Sequence, residues 1–383
     1  MKNWSVDYLS NLCQIVKGDQ LNRLNLEEIG EYPCINGGIT ESGFTNVYNR
    51  LENTITISEG GNSCGYINFV KTKFWSGGHC YSLLSLNKSI VKEFLYYALK
   101  SREKNIMKLR VGSGLPNIQC KALKEFLIPF PIDKYTQSKI ATILSTVDKS
   151  IEQTEALIAK YTRIKTGLMQ DLLTKGIDEN GNIRNKKTHK FVIKNGIEVP
   201  EEWEVLTVKD FANITTGSSD TQDKVVYGMY PFFVRSQIVE KSNRYIFDGE
   251  GVLTSGDGVG VGKIFHYIKG KFDFHQRVYL IYDFANDKVL GKYFFNYFKE
   301  NFYNEVSRYS AKTTVDSVRL NMISDMLIPL PQFAEQLEIV KLLESAEIYL
   351  KNSSLFLHKL HLIKNGLMQD LLSGKKECVI NQQ

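Results

Sequence analysis

The chain has 383 residues, 43% of them hydrophobic and 23% charged, with a formal net charge of +6. That balance excludes intrinsic disorder, and the length exceeds one ordinary domain, so two globular units with their own cores are expected. No run of about 18 or more apolar residues is present and no leader-type apolar stretch follows Met1, which excludes a helical membrane span and points to the cytoplasm. The modest positive excess permits a polyanionic partner without requiring one. Cys13, Cys34, Cys64, Cys80, Cys120 and Cys378 are scattered with no Cys-x-x-Cys pair, which fits neither a disulfide framework nor a zinc site and reads as reduced, mostly buried thiols.

In chain order, Asn53–Ile57, Tyr66–Val70 and Tyr81–Leu86 are strand-like, and Val91–Lys100 reads as an amphipathic helix. Leu127-Ile128-Pro129-Phe130-Pro131 closes this first region. Gln137–Leu173 then contains no proline and one glycine, with apolar residues at a four-then-three spacing: Ile140, Leu144, Val147, Ile151, Ile158, Tyr161, Leu168 and Leu172. That spacing is a coiled-coil seam, interrupted by Thr154 and Lys165, which fix register at some cost in stability. A helix of this length rises roughly 55 Å at ~1.5 Å per residue, further than covering a small domain requires. Thr174 to Pro200 is rich in Lys, Asn and Gly and reads as a surface linker.

The order then repeats. Tyr230–Val234, Gly251–Thr254, Lys263–Ile268 and Arg277–Tyr282 are strand-like, Leu290–Lys299 is helical, and Leu327-Ile328-Pro329-Leu330-Pro331 closes the region. A second long helix carries Ile339, Leu343, Ala346, Leu350, Leu357, Leu360, Leu367 and Leu371 on its seam, broken by Ser353 and Lys364. The duplication is explicit: Gly167-Leu168-Met169-Gln170-Asp171-Leu172-Leu173 recurs as Gly366-Leu367-Met368-Gln369-Asp370-Leu371-Leu372, an offset of 199 residues. The same offset relates Trp4 to Trp203, Gly18 to Gly217, Gln137 to Gln336, Ile140 to Ile339, Leu144 to Leu343 and Lys160 to Lys359. The two halves share a scaffold but little surface sequence, a pattern that suits one frame reading two different targets.

Two glycine-rich stretches, Gly60–Gly65 and Gly256–Gly262, invite a phosphate-loop reading, but each leads into a strand rather than a helix, so a tight loop between strands is favoured. Basic and aromatic residues interleave in both variable regions. They supply the candidate nucleic-acid contacts Lys71, Lys73, Trp75, Arg110 and Asn117 in the first, and Arg235, Gln237, Arg244, Lys263, Lys271, Arg308, Lys312 and Arg319 in the second. His79 and His275 precede strands, and His358 and His361 lie three apart on the second long helix; with no acidic or cysteine ligand pattern nearby, all read as surface or packing residues rather than metal ligands or general bases. The chain has no Pro-Pro dipeptide, as an adenine methyltransferase motif requires, no Gly-Lys-Ser/Thr phosphate loop and no Pro-Asp dipeptide of the nuclease kind. No catalytic residue is therefore assigned, and chemistry is expected to come from partners.

Ile197-Glu198-Val199-Pro200-Glu201-Glu202-Trp203 opening a domain, Leu-Ile-Pro-x-Pro closing it, and a Gln-led helix ending Gly-Leu-Met-Gln-Asp-Leu-Leu together resemble the specificity subunit of type I restriction-modification enzymes. The first half departs by starting at Trp4 without the Pro-Glu-Glu lead-in. The resemblance implies an α+β chain of two repeated α/β target-recognition domains joined by two long antiparallel coiled-coil helices in a pseudo-two-fold arrangement. In those terms residues 1–132 and 201–331 are the recognition domains, 133–176 and 332–375 the spacer helices, 177–200 a linker and 376–383 a tail. Each domain is expected to read one half of a bipartite site on double-stranded DNA. The helices are expected to set the spacer and dock two modification subunits through the seam residues Ile140, Leu144, Val147, Ile151, Ile158, Leu168, Ile339, Leu343, Leu350, Leu357 and Leu367. No cofactor is expected on this chain; S-adenosylmethionine serves the methyltransferase partners, and ATP and Mg the restriction partners. The alternative is a protein-binding coiled-coil adaptor without DNA readout.

Overall fold

A computed structural model describes residues 3–112, 114–258, 260–285, 287–308 and 317–374. Lys312, Cys378 and the tail 376–383 lie outside them. The chain divides into two compact units, Met1–Leu157 with Ser353–Gln383, and Ile158–Asn352. The division falls inside both long helices, Lys134–Thr174 and Phe333–Leu371, so each unit holds one recognition region and a part of each helix.

In the first unit, Trp4–Tyr8 pairs antiparallel with Leu127–Pro131. A four-stranded sheet runs in the order Gln14–Lys17, Cys80–Leu84, Thr54–Ser58, Ile67–Val70. A smaller one places Tyr32–Ile35 between Phe44–Thr45 and Trp75–Ser76, parallel to the latter. The helix Lys92–Ser101 buries Phe94, Leu95, Ala98 and Leu99, whose three-and-four spacing lines one face, against Ile55, Ile57 and Leu83 of the sheet. Ile140 and Leu144 of the first long helix, Leu371 at the end of the second and Leu372 just past it join the same core.

The second unit repeats this order in a single six-stranded sheet: Asn213–Thr216, Val278–Tyr282, Phe247–Ser255, Phe265–Phe274, Tyr230–Phe233, Glu240–Ser242. The continuous strand Phe265–Phe274 does the work of two strands in the first unit, Ile67–Val70 and Trp75–Ser76. Its helix, expected over Leu290–Lys299, runs on to Arg308 because Phe294, Phe298, Phe302 and Val306 continue the buried stripe at four-residue steps. Phe298 and Phe302 stack with ring centroids 4.3 Å apart.

The segment read from composition as a linker is a folded part of the second unit. Phe191–Lys194 and Ile197–Pro200 form an antiparallel hairpin closed by Asn195-Gly196, both at positive φ, the turn chemistry that matches strand twist. Arg184 is buried and pairs through Nη1 with Glu335 at 2.5 Å and through Nε with Glu202 at 2.8 Å. Trp203 Nε1 donates to the same Glu335 at 3.3 Å. Lys186, Lys187 and Lys190, which made the segment look solvated, are exposed, while Val199, Trp203 and Val205 form a small core.

Both lysines that break the helical seams find a carboxylate on the other long helix. Lys364 pairs with Asp148 at 2.5 Å in the first unit, and Lys165 with Glu347 at 2.7 Å in the second. Asp148 and Glu347 are themselves 199 residues apart in sequence, as are the two lysines, so one ion pair is built twice. In the second unit Tyr161 also packs on Tyr349, 4.4 Å between centroids; the first helix ascends from 161 to 165 as the second descends from 349 to 347, an antiparallel pairing.

A buried glutamine ties each long helix to its sheet domain. Gln137 accepts from the Val91 N–H at 2.7 Å and donates to the carbonyls of Ser89 at 2.9 Å and Pro131 at 2.7 Å. Gln336 accepts from the Leu290 N–H at 2.8 Å and donates to Lys288 at 2.7 Å and Pro331 at 2.9 Å. Both side chains are fully buried. Each thus satisfies an otherwise orphaned N–H at the start of the recognition-domain helix, which explains why the long helices are led by glutamine.

Candidate nucleic-acid interface

In each unit the backbone gathers the loops at one end of the sheet by the same hydrogen bonds. In the first, the Glu59 N–H donates to the His79 carbonyl at 2.9 Å, the Ile118 N–H to the Glu59 carbonyl at 2.8 Å, and the Gly77 N–H to the Ile35 carbonyl at 2.8 Å. In the second, the Gly256 N–H donates to Arg277 at 2.8 Å, Val318 to Gly256 at 2.8 Å, and His275 to Phe233 at 2.9 Å. Single β-bridges Gly60 to Asn117 and Asp257 to Ser317 complete the match. The glycine-rich stretches are the loops at this end, each followed by a strand.

The side chains mounted on this common frame differ. In the first unit Glu59 accepts from Lys17 at 2.7 Å and from the Tyr81 hydroxyl at 2.9 Å, with His79 Nδ1 4.0 Å away. Burial, reinforced by that hydrogen bond to Glu59, pushes the Tyr81 hydroxyl well above its ordinary pKa, so it remains a donor. In the second unit Asp257 pairs with Arg235 at 2.8 Å and Arg277 at 3.8 Å. His275 beside them is buried; burial first, then the Arg235 charge, lowers its pKa, so the neutral ring accepts from the Arg277 N–H through Nδ1 at 2.9 Å. Asp273, fully buried, accepts from Ser219 and Ser242 and from Arg244 Nε at 3.3 Å. Arg244 also reaches Ser219 at 2.8 Å and Asp223 at 3.1 Å.

Of the residues singled out from sequence, Arg110 and Asn117 lie exposed beside the Gly60 loop. Arg235 and Arg319 lie beside the Gly256 loop, Arg319 following the Val318 contact. Trp75 Nε1 donates to the Asp19 carbonyl at 2.9 Å, and Gln237 Nε2 reaches the Phe265 carbonyl at 3.5 Å. Lys263 ends the second glycine loop with its ammonium 5.8 Å from the Tyr303 ring centroid. Arg308 ends its helix, paired with Glu305 at 2.9 Å. Lys71 and Lys271 stand apart: each lies at the opposite end of its hairpin from the glycine loop, Lys71 bound to Glu152 of the long helix at 2.7 Å and Lys271 over the Tyr245 ring at 4.6 Å. Lys73 is likewise held over a ring, Tyr48, at 4.6 Å. Sequence reading passed over Asp257 and Arg277; they fall where the first half has Gly60 and His79 only through the loop hydrogen bonds, since the 199-residue offset does not pair those positions.

The four histidines considered for metal or base roles divide simply. His275 is buried as described, His79 is exposed near Glu59, and His358 and His361 are exposed on the second helix. Among the described residues no group of three or more His, Cys, Asp or Glu could hold a metal ion, and no helix is long and apolar enough to cross a membrane.

One scaffold built twice, presenting matched loop frames with unlike side chains, defines a two-headed recognition protein. Residues 1–162 and 200–353 match the type I restriction modification DNA specificity domain, and the chain belongs to that family. A putative type I specificity subunit of Mycoplasma genitalium is 36% identical over 157 residues, 41% of this chain and 41% of that protein, and one of Mycoplasma pneumoniae is 36% identical over 45% of this chain and 46% of its own length. The chain thus matches less than half the length of either Mycoplasma relative. The MjaVIII specificity subunit of Methanocaldococcus jannaschii is 26% identical over 98% of this chain and 93% of its own. The crystal structure of a type I S subunit from M. genitalium shares the fold, with a TM-score of 0.71 at 21% identity over 96% of both chains.

Proposed function

We propose that this chain is the non-catalytic DNA-specificity subunit of a type I restriction-modification complex, each recognition domain reading one half of a bipartite, asymmetric site on double-stranded DNA. The observation that carries this reading is the duplicated loop frame: identical backbone contacts hold Glu59, Gly60 and His79 in one unit and Gly256, Asp257 and Arg277 in the other. Frame contacts position, and the differing side chains specify. The long helices set the unread spacer and dock two modification subunits, and restriction subunits complete the assembly. Adenine methylation with S-adenosylmethionine, and ATP- and Mg-dependent translocation and cleavage, belong to those partners.

Exchanging residues 1–132 for the corresponding domain of another such subunit is expected to change one half of the methylated sequence and leave the other intact, read by single-molecule sequencing of DNA from cells that also express the modification subunit. Methylation unchanged in both halves would overturn the assignment and favour the adaptor reading.

A further inference from the structure

We infer that Arg277 and Arg235, held on Asp257, form the reader of a guanine in the half-site of the second unit, a proposal that rests on the DNA-reading function above. The backbone of Arg277 belongs to the frame twice over: its carbonyl accepts from Gly256 at 2.8 Å and its N–H donates to His275 at 2.9 Å. Its side chain is therefore launched from a fixed point. The Arg277 side chain is 64% exposed and that of Arg235 44%, while the Asp257 side chain that both pair with is 25% exposed and lies on the loop bridged to Ser317. One carboxylate accepts a hydrogen bond from Arg235 Nη1 at 2.8 Å and draws Arg277 Nε to 3.8 Å as an ion pair, which brings both forks to one place and leaves other N–H donors of each for a base edge. A planar pair of N–H donors fits the adjacent O6 and N7 acceptors that guanine alone presents in the major groove.

The first unit sharpens the inference. At the matched frame positions it has Gly60 for Asp257 and His79 for Arg277, and the loop after Ile35 begins Asn36-Gly37 where the second unit has Val234-Arg235. No arginine side chain stands at those positions. The first unit's frame carries a different ion pair, Lys17 on Glu59 at 2.7 Å, so the two copies keep the backbone frame and change the charged groups presented on it, as residues that distinguish two half-sites must.

The test uses the whole complex: this chain, intact or substituted, expressed with its modification subunit in cells lacking other adenine methylation, and the methylated motif read by single-molecule sequencing. The half of the motif that survives exchange of residues 1–132 is the half read by the second unit. Arg277→Gln is expected to make one G·C position within that half degenerate, discrimination there falling roughly 10- to 100-fold, with the other half unchanged. Asp257→Asn is expected to relax the same base more weakly. If Arg277→Gln does not assemble, Arg235→Gln addresses the same base and is judged by the same outcome. An unchanged motif overturns the inference, as does uniformly weaker methylation with the motif intact, the signature of a phosphate contact. A motif that does not respond to the exchange of residues 1–132 overturns instead the function on which the inference rests.

Discussion

Gln137→Leu is the substitution whose consequence follows most directly from the geometry. It removes three hydrogen bonds of 2.7, 2.9 and 2.7 Å made by a fully buried side chain, leaving the Val91 N–H and the Ser89 and Pro131 carbonyls without that partner. Each group so orphaned costs about 1–3 kcal/mol, so the three together cost about 3 to 9 kcal/mol, and burial of the leucine side chain returns about 1 kcal/mol, for a net destabilisation of about 2 to 8 kcal/mol. Gln336→Leu removes the same three contacts from the second unit and is expected to cost the same. Hydrogen exchange followed by mass spectrometry separates the two, because Lys92–Ser101 reports on the first unit and Gly291–Arg308 on the second. Protection should fall by roughly thirtyfold or more in the helix of the substituted unit. A loss under about 1 kcal/mol for either variant would refute the claim that these glutamines hold helix to sheet.

The interhelical ion pairs can be examined by charge exchange. With both groups of the Asp148–Lys364 pair only about a fifth exposed, Lys364→Glu should destabilise the first unit, and Asp148→Lys added to it should restore most of the loss; the coupling expected in a double-mutant cycle is about 1 kcal/mol, and a value near zero would show that the pair does not hold register. His266 provides a pH dependence. Burial lowers its pKa below the ordinary 6.5, with the contact to the Ser236 carbonyl only partly opposing. Its contribution to stability is thus complete above the unfolded value near 6.5 and falls away as pH drops through the window between the two values. An NMR titration should place His266 below 6.5, and a higher value would contradict the sign.

How much of this was legible in the sequence differs by element. The long helices were, because a coiled-coil seam is a local periodicity that needs no knowledge of what it packs against. The strands flanking the glycine loops were visible as β-branched and aromatic runs, whereas Gln14–Lys17 and Trp75–Ser76 were missed, being short and held by partners more than 40 residues away. The connecting segment was misjudged because its outward lysines dominate the composition, while its fold depends on Arg184 meeting Glu335, 151 residues further on. Among candidate contacts, counting basic residues drew in Lys71 and Lys271 and passed over Arg277, since charge is local but the loop frame is not.

The sequence by itself determined that there are two heads and two rods, because a duplication at a constant offset of 199 residues is visible without any coordinates. Only the tertiary structure decided which loops meet, that the compact units divide inside the helices, and that an arginine pair on Asp257 stands where the other half has a glycine and a histidine. The reason is physical. A repeat and a helical stripe are written in short-range spacing, whereas strand register, buried ion pairs and the convergence of loops are set by contacts between residues that the chain brings together only when it folds.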